Sequence, residues 1–250
     1  MTDKGLFDSE PAIEEAFSHK RWDEARCLVE TDLAAIPDGW SPLADFEPDG
    51  ERGRVIRGSF WDPGEFQAYL LHVRGLGGST SVYWMGPSYS QRWWQLAVVN
   101  REEGKYEEAI RCIEQGLQLE PDHPYLWVQW GLILCAMAHY DEALFAHQTA
   151  ETVRTWSPDS VKAWALRSQG YVLIELGRLS EAKSAYARSL ALEPDNGNAR
   201  NELDYIEHLL DEQELRQSKP TPADLFRGWQ QGGKEKLREM LESMPEEDEE

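Results

Sequence analysis

The sequence predicts a mainly α fold, a solenoid of stacked helical hairpins with a small β-containing insert near the N-terminus. Two observations carry this. A helical unit recurs in register, GKYEEAIRCIEQGLQLEPD at 104–122 and GRLSEAKSAYARSLALEPD at 177–195. Between 54 and 85 the hydrophobic pattern changes to short apolar runs separated by turn residues, which is the habit of strands. Composition permits a packed core: the 250 residues are 41% hydrophobic and include eleven Trp, enough apolar surface for one long or two small domains.

The first element is a degenerate helical hairpin within 1–37. Ser9 and Pro11 read as a helix start. Trp22, Ala25, Val29 and Pro37 follow with the spacing of the second helices farther along.

The insert occupies 38–88. RVIRGSFW, then Asp62-Pro63-Gly64, then EFQAYLLHVR reads as strand, tight turn and strand, and SVYWM as a third strand. The expectation is a small antiparallel β meander. A short helix over 66–73 fits the same apolar run, because periodicity does not decide short segments. Gly75, Gly77 and Gly78 lack the Lys-Ser or Lys-Thr of a phosphate-binding loop and read as a turn.

Three hairpins and a capping helix are expected over 89–217. A looser copy of the unit, AHYDEALFAHQTAETVRTWSPD, lies between the two clear ones. Ala109 and Ala143 are 34 residues apart and Ala143 and Ala182 are 39 apart, so five residues are inserted around Glu151–Val161. The delayed Pro158 implies a longer second helix in the middle hairpin. Gly104 and Gly177 supply turns, and Pro121, Pro158 and Pro194 stop second helices. Small residues at Ala97, Gly131 and Gly170 are expected to face Ala109, Ala143 and Ala182, with Tyr106, Tyr140 and Tyr186 between hairpins. One hairpin cannot bury its apolar face, so the copies must stack. NARNELDYIEHLLDEQELRQ then caps the stack through Leu203, Ile206, Leu209 and Leu210.

The remainder, 218–250, reads as a linker (SKPTP), an amphipathic segment and an acidic end after Pro245. Leu225, Phe226, Trp229, Leu237, Met240 and Leu241 make the segment apolar on one side, so 222–243 is expected to dock on the repeats or the insert.

This repeat pattern resembles the tetratricopeptide repeat (TPR) family, whose unit is about 34 residues of helix–turn–helix. The likeness rests on Trp93, Leu96, Ala97, Gly104, Tyr106, Ala109 and Pro121 in the first copy. Trp127, Gly131, Tyr140 and Ala143 carry it in the second, and Leu166, Gly170, Gly177, Ala182, Tyr186 and Pro194 in the third. Gly116 departs from the alanine the family prefers.

The resemblance implies a non-enzymatic protein-binding scaffold, with the first helix of each hairpin lining a concave face. Carried over by position, the partner-binding candidates are Gln91, Trp94, Val98, Arg101 and Glu102, then Tyr125, Val128, Leu132, Cys135 and Ala136, then Trp164, Arg167, Tyr171, Ile174 and Glu175. Trp, Tyr and Arg are the residues that dominate protein-binding energy. Chaperone adaptors of the family hold a carboxylate with a clamp of Lys, Asn and Arg. Here the matching positions are Trp94, Val98, Gln129, Trp164 and Ser168, so the likeness to that subclass fails at the clamp. The chain's own insert or tail is a competing cover for these aromatics.

Charge narrows the partners. A formal net charge of −21 repels phosphate backbones and anionic lipid, and favours a protein or peptide with a basic face or simply solubility. The start, MTDKGLFDSEPAIEE, has no apolar leader, and no run is long enough to span a bilayer. Cys27, Cys112 and Cys135 are odd in number and unpaired in spacing, which fits a reducing cytoplasm. The six histidines share no metal-ligand spacing, and no nucleophile elbow occurs. The expectation is therefore no catalytic residue, no metal and no cofactor. An enzyme or ligand module built by the insert against the repeats, and a self-assembly module, are the other readings.

Overall fold

The structure, a computed structural model, describes residues 9–46, 54–77 and 79–218, with scattered positions between 223 and 242. The chain begins with a hairpin of α1 (Glu10–Ser18) and α2 (Trp22–Leu33). Ser9 stands at the start of α1 with Pro11 in its first turn, but the Ser9 hydroxyl donates to Asp32 across the hairpin instead of capping.

The insert is not a meander. It comprises β1 (Leu43–Phe46), β2 (Arg54–Ser59), α3 (Pro63–Gly75) and β3 (Thr80–Gly86), in a sheet of order β1-β2-β3. β1 pairs antiparallel with β2, whereas β2 and β3 are parallel and joined through α3. The expected second strand is thus a helix. Asp62, Pro63 and Glu65 explain why. Asp62 accepts the Glu65 amide, and Glu65 reaches back to accept the Trp61 amide. This is a variant of the capping box, its return bond made to the amide just before the N-cap, with proline in the first turn, so Asp62-Pro63-Gly64 starts a helix and does not reverse a strand.

The repeats follow as α4 (Tyr89–Glu102) with α5 (Tyr106–Leu119), α6 (Pro124–Ala136) with α7 (Tyr140–Thr152), and α8 (Asp159–Glu175) with α9 (Leu179–Leu192). The long helix α10 (Gly197–Ser218) covers α9. α2 packs on α4, which joins the N-terminal hairpin to the stack. Gly104 and Gly177 have φ of 73° and 70°, and Ala138 takes the same left-handed turn at 60°.

Two features of the repeats differ from expectation. α7 has 13 residues, against 14 in α5 and in α9, so the residues inserted before Pro158 do not lengthen the second helix. Most of the extra length falls in α8, which has 17 residues against 13 in α6, and the connecting loop 153–158 is slightly longer than 120–123. The small residues at Gly131 and Gly170 meet rings first: a Cβ there would lie 2.3 Å from His147 and 2.4 Å from Tyr186. Gly116 has a similar reason, because Leu126 fills the space an alanine methyl would need.

One core cluster runs from Ile13 and Val29 through Trp61, Leu96 and Ile113 to Leu126 and Ile133. A second joins Ala143, Leu173, Tyr186 and Ile206. The insert has its own small core of Ile56, Phe60, Tyr69 and Val73, against which Trp156 of the 153–158 loop packs. Most residues on which docking of the tail would depend, Leu225, Trp229, Leu237, Met240 and Leu241, lie outside the described residues, as does the acidic end. Phe226 is exposed. No helix among the described residues is long and apolar enough to cross a membrane.

Candidate functional site: the front-helix face

α4 touches α6, and α6 touches α8, while no comparable contact joins the back helices α5, α7 and α9. The stack is therefore curved, and α4, α6 and α8 line its inner face. An aromatic row crosses this face. Trp94 and Tyr125 are 6.4 Å apart, centroid to centroid, and Tyr125 and Trp164 are 5.7 Å apart. Trp61 extends the row from the insert: its ring stacks on Tyr125 at 5.4 Å and lies 5.7 Å from Trp94.

Two hollows flank the row. One, of about 470 Å³, is lined by Gln91, Trp94 and Tyr125 together with Trp61, Asp62 and Trp84 of the insert and Glu10 and Glu14 of α1. The other, of about 280 Å³, is lined by Leu132, Trp164, Arg167 and Tyr171 with His147, Tyr186 and Glu202. Burial, with Asp62 and Glu65 nearby, pushes the Tyr125 hydroxyl up to about 12. Burial alone pushes His147 down to about 3, and neither of its ring nitrogens has a hydrogen-bond partner.

The sequence candidates divide accordingly. Gln91, Trp94, Tyr125, Leu132, Trp164, Arg167 and Tyr171 line the two hollows. Val128 does not reach the face: it is fully buried against Ala150 and Ala165, because the turn of α6 that presents Tyr125 directs Val128 to the hairpin interior. Ile174 packs on the core between α7 and α10. Val98 is half-buried and lines neither hollow. Arg101 is engaged by Gln129 and Glu102, and Arg167 by Glu193. Cys135 is half-buried, and burial, then Glu175, pushes its thiol up to about 11. Trp61, Trp84, Glu10, Glu14 and Asp62 were not legible as groove residues, since they come from segments outside the repeat alignment.

The insert is held beside this face by a buried polar cluster. Glu65 Oε1 lies 3.0 Å from His123 Nε2 and accepts from Arg154. Glu120 accepts from the Ser88 and Ser90 hydroxyls and from Arg154. Arg154 also donates through two nitrogens to both oxygens of Asp122, and its guanidinium sits 4.5 Å from the Trp156 ring centre. Burial opposes the charge on Glu65, but His123 and Arg154 outweigh it and hold the carboxyl below its usual range. Glu65, Glu120 and His123 bring three potential metal ligands within 4.8 Å of one another. The cation among them is Arg154, which the 153–158 loop delivers. A hollow of about 180 Å³ borders the cluster, and the charged groups on its wall satisfy one another.

Family models for the tetratricopeptide repeat match residues 90–133 and 168–196. The chain contains tetratricopeptide repeats. Its TPR matches leave out 134–167, the stretch that contains the irregular loop with Arg154 and Trp156. RNA polymerase II-associated protein 3 from Homo sapiens is 32% identical over 124 residues, 50% of this chain and 18% of that protein. The Rattus norvegicus protein of the same name is 32% identical over 113 residues, 45% of this chain and 16% of its own. The TPR chain thus spans less than a fifth of those relatives. Among solved structures, the first TPR domain of the human RPAP3 protein is 27% identical, covering 50% of this chain and 94% of that one at a TM-score of 0.46. The first TPR of Spaghetti (RPAP3), bound to the HSP90 peptide SRMEEVD, is 27% identical, covering 49% and 95% at 0.45.

Proposed function

We propose that this TPR protein is a non-enzymatic scaffold that holds a segment of a partner protein along its front-helix face, in the manner of a dedicated adaptor or chaperone. The carrying observation is the continuous row Trp61–Trp94–Tyr125–Trp164 with a hollow at each end. Rigid aromatic anchors beside pockets are the usual form of a binding hot spot. The clamp positions carry Trp94, Val98, Gln129, Trp164 and Ser168, and the nearby cations Arg101 and Arg167 are already paired. The groove therefore favours side-chain anchoring over capture of a terminal carboxylate.

The test is affinity purification with the full chain and with Trp164→Ala and Tyr171→Ala. The expected result is a co-purifying protein whose affinity falls by about 2 kcal/mol in each variant, with melting unchanged. Unaltered binding together with collapsed melting would place these rings in the core and overturn the reading. Competition by the peptide SRMEEVD would move it to a carboxylate-binding groove.

A further inference from the structure

The hollow between α1, α4, α6 and the insert has a one-sided chemistry. Its wall carries three carboxylates, Glu10, Glu14 and Asp62, and no lysine, arginine or histidine. Arg92 lies behind it, fully buried, paired to Glu10 and Asp32. Counting that pair, four carboxylates face one guanidinium, so a net negative charge remains at the hollow. Four rings, Trp61, Trp84, Trp94 and Tyr125, line the same space.

From these groups we infer that the hollow is a subsite for a cationic side chain, lysine or arginine, of a bound protein segment. This rests on the reading that the front-helix face takes such a segment. The electron-rich faces of Trp and Tyr attract a cation, most strongly where water is excluded. Glu14 is exposed at the rim and Asp62 uses one oxygen to cap α3, so both retain acceptor capacity. Gln91 Oε1 is buried without a hydrogen-bond partner and offers a further acceptor to an N–H donor. An anion would meet the carboxylates, and a neutral apolar group would leave the Gln91 acceptor orphaned at the cost of a desolvated polar group. Trp94 Nε1 is the one orphaned donor of the wall. It suits a main-chain carbonyl of the segment that carries the cation, which favours a peptide over a free ammonium ion.

The test uses the full chain and three capped pentapeptides, Gly-Gly-X-Gly-Gly with X as lysine, arginine or the neutral isostere norleucine. Binding is read from intrinsic Trp fluorescence and from NMR shifts of the indole N–H groups. The lysine or arginine peptide should bind and move the Trp94 indole signal. Glu14→Gln and Asp62→Asn should each weaken it by about fivefold, as should Trp84→Leu, on the scale of one charge or one ring. Asparagine still caps α3 and Glu14 is exposed. Trp84 also packs on Phe60 and Phe66, so a melting curve accompanies Trp84→Leu and the two carboxylate variants carry the test if it is destabilised. Tetramethylammonium chloride serves as the free-ion arm; if it binds as well as the peptides, the carbonyl contact at Trp94 is wrong and the subsite takes free ammonium ions. Equal binding of the norleucine peptide, or binding of the cationic ones that ignores all three variants, overturns the inference. Loss of a partner in Trp164→Ala with no cation binding here would leave the groove standing and remove only this subsite. Cation binding with no partner dependence on Trp164 would do the reverse.

Discussion

The indole of Trp61 lies flat on the imidazole of His123, ring centroids 3.9 Å apart and planes 15° from parallel. Trp61 comes from the insert and His123 from the entrance to α6, so the stack joins two parts of the chain with unrelated sequence patterns. The Trp61 indole N–H also donates to Ser90, and its amide to Glu65.

Trp61→Ala should therefore loosen the insert from the repeats and cost about 4 kcal/mol, the range for truncating a buried tryptophan. Urea unfolding would measure the loss. Limited proteolysis should cut first within the insert, because its remaining core, around Phe60 and Tyr69, is small. A loss below about 1 kcal/mol would mean that the stacked pair is a passive neighbour.

Glu65→Gln should cost about 3 kcal/mol, because it leaves Arg154 buried with part of its charge unanswered. The pH dependence gives an independent signature. The folded Glu65 and Asp122 carboxyls both lie below their unfolded values of 4.5 and 3.8. Their stabilisation is therefore complete above those values and is lost as pH falls through the lower folded ones. In Glu65→Gln the decline below pH 4.5 should be shallower, as read by melting temperature across an acid series.

His147 predicts a separate loss that begins at milder acidity. Its folded value is about 3 against 6.5 unfolded. As pH falls below 6.5 the unfolded chain takes up a proton that the folded one refuses, so stability declines until about pH 3, by at most about 1.4 kcal/mol per unit. His147→Leu should flatten this slope between pH 6.5 and 5. That window lies above the range in which Glu65 and Asp122 act. Identical slopes in the two proteins would show that the ring is not held neutral.

Ala138→Gly should stabilise the protein by about 1 kcal/mol, since Ala138 occupies the left-handed turn at φ 60° where the other repeats place Gly104 and Gly177. The gain should appear in chemical denaturation without any change in partner binding.

The repeat architecture was legible because each hairpin is a local unit. Glycine at two of the turns, alanine at the close crossings and proline after the second helices act within about 34 residues and recur. The helix in the insert has its own local signal in Asp62-Pro63-Gly64-Glu65, but Pro-Gly suits a tight turn equally well. Glu65 had to be paired with the Trp61 amide to show a capping box. Of the sequence candidates, Gln91, Trp94, Tyr125, Trp164, Arg167 and Tyr171 lie along the hollows because helix periodicity fixes which side chains share a face. Val128 did not, because a front helix of a solenoid contacts both its own hairpin and the next, so most of its circumference is buried.

By itself, then, the sequence determined a stack of TPR hairpins and the aromatic character of its front helices. Each follows from short-range periodicity, which needs no knowledge of distant residues. Only the tertiary structure decided that Trp61, Trp84 and Asp62 of the insert close one end of the groove with Glu10 and Glu14, and that Arg154 of the irregular loop ties the insert in place. Arg154 lies 89 positions from its partner Glu65, and what gathers such residues is the mutual satisfaction of buried charge and the stacking of rings. Neither leaves a spacing that can be read along the chain.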